Sequence, residues 1–444
     1  MTHYLETHHT QKVTIEKLND RGDGLALLES VKEHPVVADA CDKLKDKQYL
    51  RVPFTLPGEV VEISIRHKSR FELVGKLESV IEPSKDRVDA PCPHYETCGG
   101  CSLQHMSETA YTDFKRNLVQ KAFVHHSLEP SMISDPIIIG AGKRRRIDFM
   151  ARKWDGEAKM GFHEALSKKP FNVKACPLVD SEIPKLFSDL RECLVPLLEQ
   201  EKVIHIFITK AQNGIDMLLA GFKNAISSHN INDLKAFAEK HQLAKLSYKV
   251  KKREHAIFDR VPPTVRFGEH DVPVTAFGFL QATQDSDEIF GSYLKENMDQ
   301  NTPLKVVDLF CGRGTLSLNI TKLGHHVKGY ECDGQALSAL RTVQDPNLTV
   351  FDRNLFESPL THEELNEFDA VVMNPPRAGA EAQTKEIAKS NCRQLIYISC
   401  NADSFARDTK MLLDSGFTLK NVTPVDQFTW TPHIEIMAYF ERAS

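Results

Sequence analysis

From residue 305 to the end of the chain, short strand-like runs rich in apolar β-formers alternate with helical stretches. The runs are Lys305-Val-Val-Asp-Leu-Phe310, Val327-Lys-Gly-Tyr-Glu331, Asp369-Ala-Val-Val-Met373 and 395–399, with a final strand at 434–440. A strand that is apolar on both faces must be covered on both, and strands separated by helices pair in parallel. The range from 271 onward therefore reads as a doubly wound α/β sheet. Such sheets collect ligands and chemistry beyond the C-terminal ends of their strands, so the residues that follow each run carry the functional information.

After the first run comes Gly312-Arg-Gly314, and Thr315-Leu-Ser-Leu-Asn-Ile opens a helix. Glycines let the backbone approach a ligand closely. A dinucleotide fingerprint needs a third glycine where Leu316 and Ser317 stand, which disfavours NAD. The second run ends in Glu331, placed to bind a ribose diol. A diol without a pyrophosphate points to S-adenosylmethionine (AdoMet) on a Rossmann-like domain. In Asn374-Pro375-Pro376-Arg377, two prolines fix the backbone just past the third strand.

Cys400 follows the fourth strand in Ser399-Cys400-Asn401, while Cys193, Cys332 and Cys392 read as small buried hydrophobes. His433-Ile-Glu435 opens the last strand. A thiol, a carboxylate and a methyl donor suit one reaction. Carbon 5 of a pyrimidine is too weak a nucleophile until a thiolate adds to carbon 6, and a base must then remove the carbon 5 proton. Cys400 fits the nucleophile and Glu435 the base.

The remaining chain is organised differently. Residues 11–82 hold short strands punctuated by Gly and Pro, as in a small antiparallel, OB-like barrel, with a tight turn at Leu56-Pro-Gly-Glu59 and an insertion between Glu29 and Gln48. The 444 residues suit two or three domains, divided as 1–85, 86–270 and 271–444. The middle range carries Cys92, Cys98 and Cys101, then Cys176, an amphipathic segment at 108–126, and strands at 147–151 and 203–208. Pro262-Pro263 and the stretch after it read as a linker. The first twenty residues lack the apolar core of a secretory signal, and no apolar run spans a membrane, so the cytoplasm is the expected compartment; the oligomeric state leaves no mark in the sequence, and a monomer is taken as the default. In a reducing compartment clustered thiols read as metal ligands or catalytic groups, and as ligands they suit either zinc or an iron–sulfur cluster. The net charge of −5 leaves RNA binding to local patches, with Lys143-Arg144-Arg145-Arg146 and Lys249-Val-Lys251-Lys252-Arg253 as candidates.

These residues converge on a family. The chain resembles the bacterial RNA uracil-5-methyltransferases of the iron–sulfur type, which make 5-methyluridine in 23S ribosomal RNA. The matching motifs are Phe279-Leu-Gln281, the Asp308–Gly314 turn, Glu331, Arg353-Asn354-Leu, Ser399-Cys400-Asn401 with Ala406-Arg407-Asp408, and Val425-Asp-x-Phe428 with His433-x-Glu435. The resemblance implies an RNA-binding TRAM barrel and a [4Fe–4S] cluster on Cys92, Cys98, Cys101 and Cys176. It also implies AdoMet contacts from Gln281, Phe310, Thr315, Glu331, Asn354 and Asn374, with catalysis by Cys400 and Glu435. The chain departs from the family at Asn374, where Asp is usual, at Ala402 in place of a proline, and at Phe428-Thr429 in place of Phe-Pro. Alternatives are the same chemistry on tRNA, a non-catalytic iron–sulfur RNA-binding assembly factor, and an amino-group methyltransferase built on Asn-Pro-Pro.

Overall fold

A computed structural model describes residues 10–31, 48–69, 72–198 and 202–442. The chain divides into two compact units, residues 1–115 with 430–432, and residues 116–429 with 433–444.

The first unit is built on a closed barrel of β1 (Thr10–Leu18), β2 (Gly24–Leu27), β3 (Tyr49–Val52), β4 (Val60–Ser69) and β5 (Glu72–Glu82), in the order β1-β2-β3-β5-β4. The barrel matches expectation, except that it closes through a parallel bridge, Arg51 to Val74. Alternate residues Val13, Ile15, Leu50, Val52, Val61 and Ile63 fill it, as the two-residue period of a strand requires. Most of the expected insertion, residues 32–47, lies outside the described residues. The Leu56–Glu59 turn is present, with Gly58 at φ 82° and the Leu56 N–H donating to the Glu59 carboxylate at 2.8 Å. That carboxylate is fully buried and accepts from Arg87 Nη2 at 2.8 Å, while the same nitrogen reaches the Phe54 carbonyl at 2.7 Å. The ion pair ties the segment after the barrel to its end.

In the second unit, β6 (Ile137–Ile138) precedes a six-stranded sheet. Its strands are β7 (Arg146–Trp154), β8 (Glu157–Gly161), β9 (Val203–Ala211), β10 (Gly214–Phe222), β11 (Lys245–Val250) and β12 (Arg253–Asp259), in the order β12-β11-β10-β9-β7-β8. After Pro263 the chain makes a hairpin where a linker was expected, β13 (Thr264–Phe267) with β14 (His270–Pro273). The reason is packing: Val265, Phe267 and Val272 are buried against Leu318 and Leu340.

The site-bearing sheet contains β15 (Lys305–Leu309), β16 (His326–Glu331), β17 (Leu348–Asp352), β18 (Ala370–Met373), β19 (Gln394–Ser399), β20 (Phe417–Asp426) and β21 (Glu435–Arg442). Its order is β17-β16-β15-β18-β19-β21-β20-β6. The β17 to β19 neighbours are parallel, and β21 is antiparallel between β19 and β20. Val371 and Met373 face one apolar layer while Ala370 and Val372 face the other, so the doubly wound expectation holds. The strand order reverses between β15 and β18, which opens a crevice at their C-terminal ends. Among the described residues no helix is long and apolar enough to cross a membrane.

Removing Arg87 strands a buried charge, which costs roughly 3 kcal/mol, whereas removing both partners costs much less. Arg87→Met is expected to lower the melting temperature of the full chain, and the double variant Arg87→Met/Glu59→Leu to recover most of the loss. Equal loss in both variants would show that the pair is not what matters.

Candidate active site

Ser399 on β19 pairs with Ile436 on β21, so the next register step sets Cys400 opposite Glu435. This follows from the antiparallel insertion: the start of β21 lies at the edge where the parallel strands end. The Glu435 carboxylate is buried and accepts from Gln427 Nε2 at 2.9 Å. Burial pushes it up to about 7, against the pull of the Gln427 hydrogen bond. Cys400 is half-buried. Burial and the Glu435 charge push its thiol up, while the nearby Arg377 charge pulls it down.

Gln427 is the residue that the motif reading passed over as the x of Val425-Asp-x-Phe428. Its Nε2 also donates to Gln281 Oε1 at 2.7 Å, and its Oε1 accepts from the Ala282 N–H and the Ser286 hydroxyl, both at 3.0 Å. One amide therefore joins the base to the segment that carries Gln281. No pattern marks such a residue in the sequence; only its place between two motif residues hinted at it.

The segment that bears Gln281 is held from below. Arg145, buried, pairs with Asp287 at 2.6 Å and donates from Nε to the Gln281 carbonyl at 3.0 Å, while Arg146 donates to the Leu280 carbonyl at 3.0 Å. The run 143–146 is a candidate RNA-docking patch by its sequence; the guanidinium groups of its last two residues, Arg145 and Arg146, instead satisfy internal carbonyls and a buried carboxylate. The second basic run spans the half-buried end of β11, the exposed turn Lys251-Lys252 and the exposed start of β12 at Arg253.

A second hub fixes the nucleophile. Asp408, fully buried, accepts from the Tyr397 hydroxyl at 2.7 Å, the Ala380 N–H at 3.1 Å, and Arg407 Nε and Nη2 at 2.9 and 2.6 Å. It thereby locks the strand before Cys400 to the loop after Pro376. Asn401 caps the helix Ala402–Asp414 and donates from Nδ2 to the Arg377 carbonyl at 3.0 Å.

At the crevice, Phe310, Gly312 and Gly314 adopt φ of 63°, 55° and 88°. The Glu331 carboxylate accepts three backbone N–H bonds, from Gly312 at 3.0 Å, Cys332 at 2.7 Å and Asp333 at 2.8 Å. A Cβ added at Gly312 would meet nothing within 4 Å, so the turn faces open space. The Phe310 and Phe356 rings lie 5.4 Å apart, with Phe356 about half exposed (49%), which forms an apolar wall beside that space. Thr315 is half-buried in the same turn. Asn374 continues β18, its N–H on the Leu309 carbonyl. The Asn354 side chain is engaged with the Phe356 N–H of its own turn. Beneath the turn, Asp308 is fully buried and accepts from the Ser317 hydroxyl at 2.5 Å, and burial raises it to about 7.

The cysteines fall in different units. Cys92, Cys98 and Cys101 occupy one loop of the first unit, all half-buried. That loop is held to the barrel by Tyr95, whose ring meets Phe54 edge-on at 5.2 Å. Cys176 belongs to the second unit and is half-buried.

Glu435 carries a stability signature. Its folded value, about 7, lies above the ordinary 4.5, so holding back its ionisation costs nothing below pH 4.5, the cost grows between pH 4.5 and 7, and it levels off above 7. Glu435→Gln is expected to stabilise the protein increasingly over that window, by roughly 1.4 kcal/mol per pH unit. Melts of both proteins between pH 5 and 8 check this; a constant difference would contradict it.

Family models match three stretches: a TRAM domain at residues 6–77, a methyltransferase small domain at 288–394, and tRNA (Uracil-5-)-methyltransferase at 358–443. An RNA methyltransferase of Agrobacterium fabrum is 33% identical over 444 residues, 98% of this chain and 100% of its own length. The 23S rRNA (uracil(1939)-C(5))-methyltransferase of Vibrio campbellii is 28% identical over 450 residues, 99% of this chain and 97% of its own. The solved tRNA (uracil-54, C5)-methyltransferase of Pyrococcus abyssi, in complex with S-adenosyl-L-homocysteine, shares the fold with a TM-score of 0.70. That match spans 97% of this chain and 99% of that one, at 20% identity. On the TRAM barrel, the doubly wound sheet and these matches, the chain belongs to the RNA uracil-5-methyltransferase family.

Proposed function

We propose that this AdoMet-dependent RNA uracil-C5 methyltransferase acts on a uridine of 23S ribosomal RNA through a covalent bond from Cys400 to carbon 6. One observation carries the reading: a half-buried thiol at the end of β19 faces a buried carboxylate at the start of β21.

The Cys400 thiolate adds to carbon 6 as ring electrons move to the carbonyl oxygen on carbon 4. AdoMet, when bound, supplies the electrophilic methyl group. With carbon 5 methylated, the Glu435 carboxylate accepts the carbon 5 proton. The sulfur–carbon bond then breaks, which restores the ring double bond and the thiolate. Arg377 favours the thiolate electrostatically. Gln427 is a positioning residue that aims Glu435. Glu331 is suited to a ribose diol because three N–H groups fix its orientation. Phe310, Thr315, Asn354, Asn374 and Gln281 complete the cofactor set. Flipping the base out of its stack exposes the ring to sulfur and costs a few kcal/mol, least in single-stranded loops.

The choice of ribosomal RNA is supported by the barrel, the cysteine set and the name of the Vibrio campbellii relative, which is similar over nearly the whole chain. Thiolates alone, three of them within one short loop, suit the [4Fe–4S] cluster proposed on Cys92, Cys98, Cys101 and Cys176. We place the enzyme in the cytoplasm as a monomer, with domains at 1–85, 86–270 and 271–444; each range carries its own main sheet.

Mass-spectrometric mapping of 5-methyluridine after incubation with 23S rRNA fragments or tRNA transcripts tests the substrate; methylation of tRNA alone would redirect it. Cys400→Ala is expected to abolish both methylation and adduct. Glu435→Gln should accumulate a denaturation-resistant protein–RNA adduct, because the carbon 5 proton stays in place; no adduct from any variant would remove the covalent step. The acid limb of kcat is expected near pH 7 from Glu435. Gln427→Ala should move that limb upward and lower kcat roughly tenfold or more, as loss of positioned proton transfer does. Anaerobically prepared protein should carry four iron and four sulfide, lost in Cys98→Ala; metal-free protein with full stability would overturn the cluster.

A further inference from the structure

Away from the thiol, the base and the cysteines, a further set of metal-ligating groups converges. Among the described residues, His125, His126 and Asp403 hold their ligand atoms within 4.8 Å of one another. His125 ends the helix Glu108–His125, and His126 follows it. Asp403 lies in the first turn of the helix Ala402–Asp414, three residues after Cys400. His125 Nδ1 stands 3.2 Å and His126 Nε2 3.0 Å from the same oxygen, Asp403 Oδ1. The rings meet edge-on with centroids 4.9 Å apart, so the δ nitrogen of one and the ε nitrogen of the other reach a common point.

The spacing has a physical meaning. With metal–ligand bonds of about 2.0–2.2 Å, neighbouring ligand atoms on a tetrahedral or octahedral ion sit about 3.0–3.4 Å apart. Both nitrogen–oxygen separations fall in that range. The carboxylate is also pre-set, because the Asp403 N–H donates to Asn401 Oδ1 at 3.0 Å and Asn401 is itself bonded to the Arg377 carbonyl. His126, at 22% side-chain exposure, anchors the set, while His125 at 75% and Asp403 at 67% leave room for water ligands.

We propose that His125, His126 and Asp403 bind one borderline divalent transition ion of the zinc class, with water completing its shell. Two imidazoles with one carboxylate suit zinc, nickel, cobalt or copper rather than magnesium or calcium, which need cages of oxygen. The ion would clamp the C-terminal end of one helix to the first turn of the helix behind the nucleophile, and so stiffen the Asn401–Arg377 contact beside Cys400. Exposure keeps the affinity modest, so occupancy follows the available ion.

The experiment is a cobalt(II) titration of the full-length protein with its cysteine-bound centre intact, paired with melts in zinc. The expected result is one equivalent bound with visible d–d bands free of thiolate-to-cobalt charge transfer, and a higher melting temperature in zinc. His126→Ala and His125→Ala should each weaken binding at least tenfold, with metal-free circular dichroism unchanged. Asp403→Asn, which keeps the side-chain size, should weaken it likewise and guards against a fold defect in the histidine variants. A simple His–Asp ion pair at two helix ends predicts instead that all proteins titrate alike and that zinc leaves the melt unmoved. Either result, or binding with thiolate charge transfer alone, overturns the proposal.

Discussion

The pairing of β21 against β19 is the constraint on which the rest of the site depends. It is the first antiparallel step after the parallel run β17 to β19, and it brings the start of one strand to the edge where its neighbours end. Because side chains alternate faces, a slip of one residue would turn Glu435 to the opposite layer and leave Cys400 facing a hydrocarbon. Register here is strongly specified. Ile436, Ala438 and Phe440 pack in one apolar layer, and Met437 and Tyr439 in the other.

Around this pairing the protein spends polar groups where burial makes them matter most. Glu435 and Asp408 are both removed from water, and they are treated in opposite ways. Asp408 receives a full set of donors, including a two-toothed guanidinium, which makes it a rigid tie. Glu435 receives a single amide, and its ionisation is left near neutrality. A structural carboxylate is satisfied; one that must take up and release a proton is kept under-solvated. Buried Gln427, with all four of its side-chain hydrogen bonds made inside the protein and no charge, can transmit position without fixing the protonation state.

Much of this was legible in the sequence where the signal was local. Apolar-rich runs marked β15, β18, β19 and β21, because strands buried on both faces exclude most polar residues, while β16, with Lys328 and Gly329, was marked by the acid Glu331 that ends it. The same logic hid β17 and β20: β17 is a half-exposed edge with Thr349 and Asp352, and β20 carries Lys420, Asn421 and Thr423. Cys400 and Glu435 were visible as strand-end residues, yet their pairing required a register that no spacing states. Arg145 and Arg146 looked like solvated charge because a run of cations is usually that; their internal partners, Asp287 and the carbonyls of Leu280 and Gln281, lie more than 130 residues away in sequence. The hairpin after Pro263 was masked by its prolines, which punctuate the sequence without preventing Val265 and Phe267 from finding a core.

The far edge of the site-bearing sheet is closed by β6, two residues that pair with Val425 and Asp426. Those residues leave β20 one step before Gln427. The strand that shields this end is thus made early in the chain, before the whole six-stranded sheet, and waits about 290 residues for its partner. A fragment beginning at residue 271 would expose the last rungs of β20 as an open edge, a template for pairing with other chains. Loss of that clasp would loosen the backbone next to Gln427, so the catalytic sheet is a thing the whole second unit assembles, and autonomy of its C-terminal half is traded for a closed border at the site.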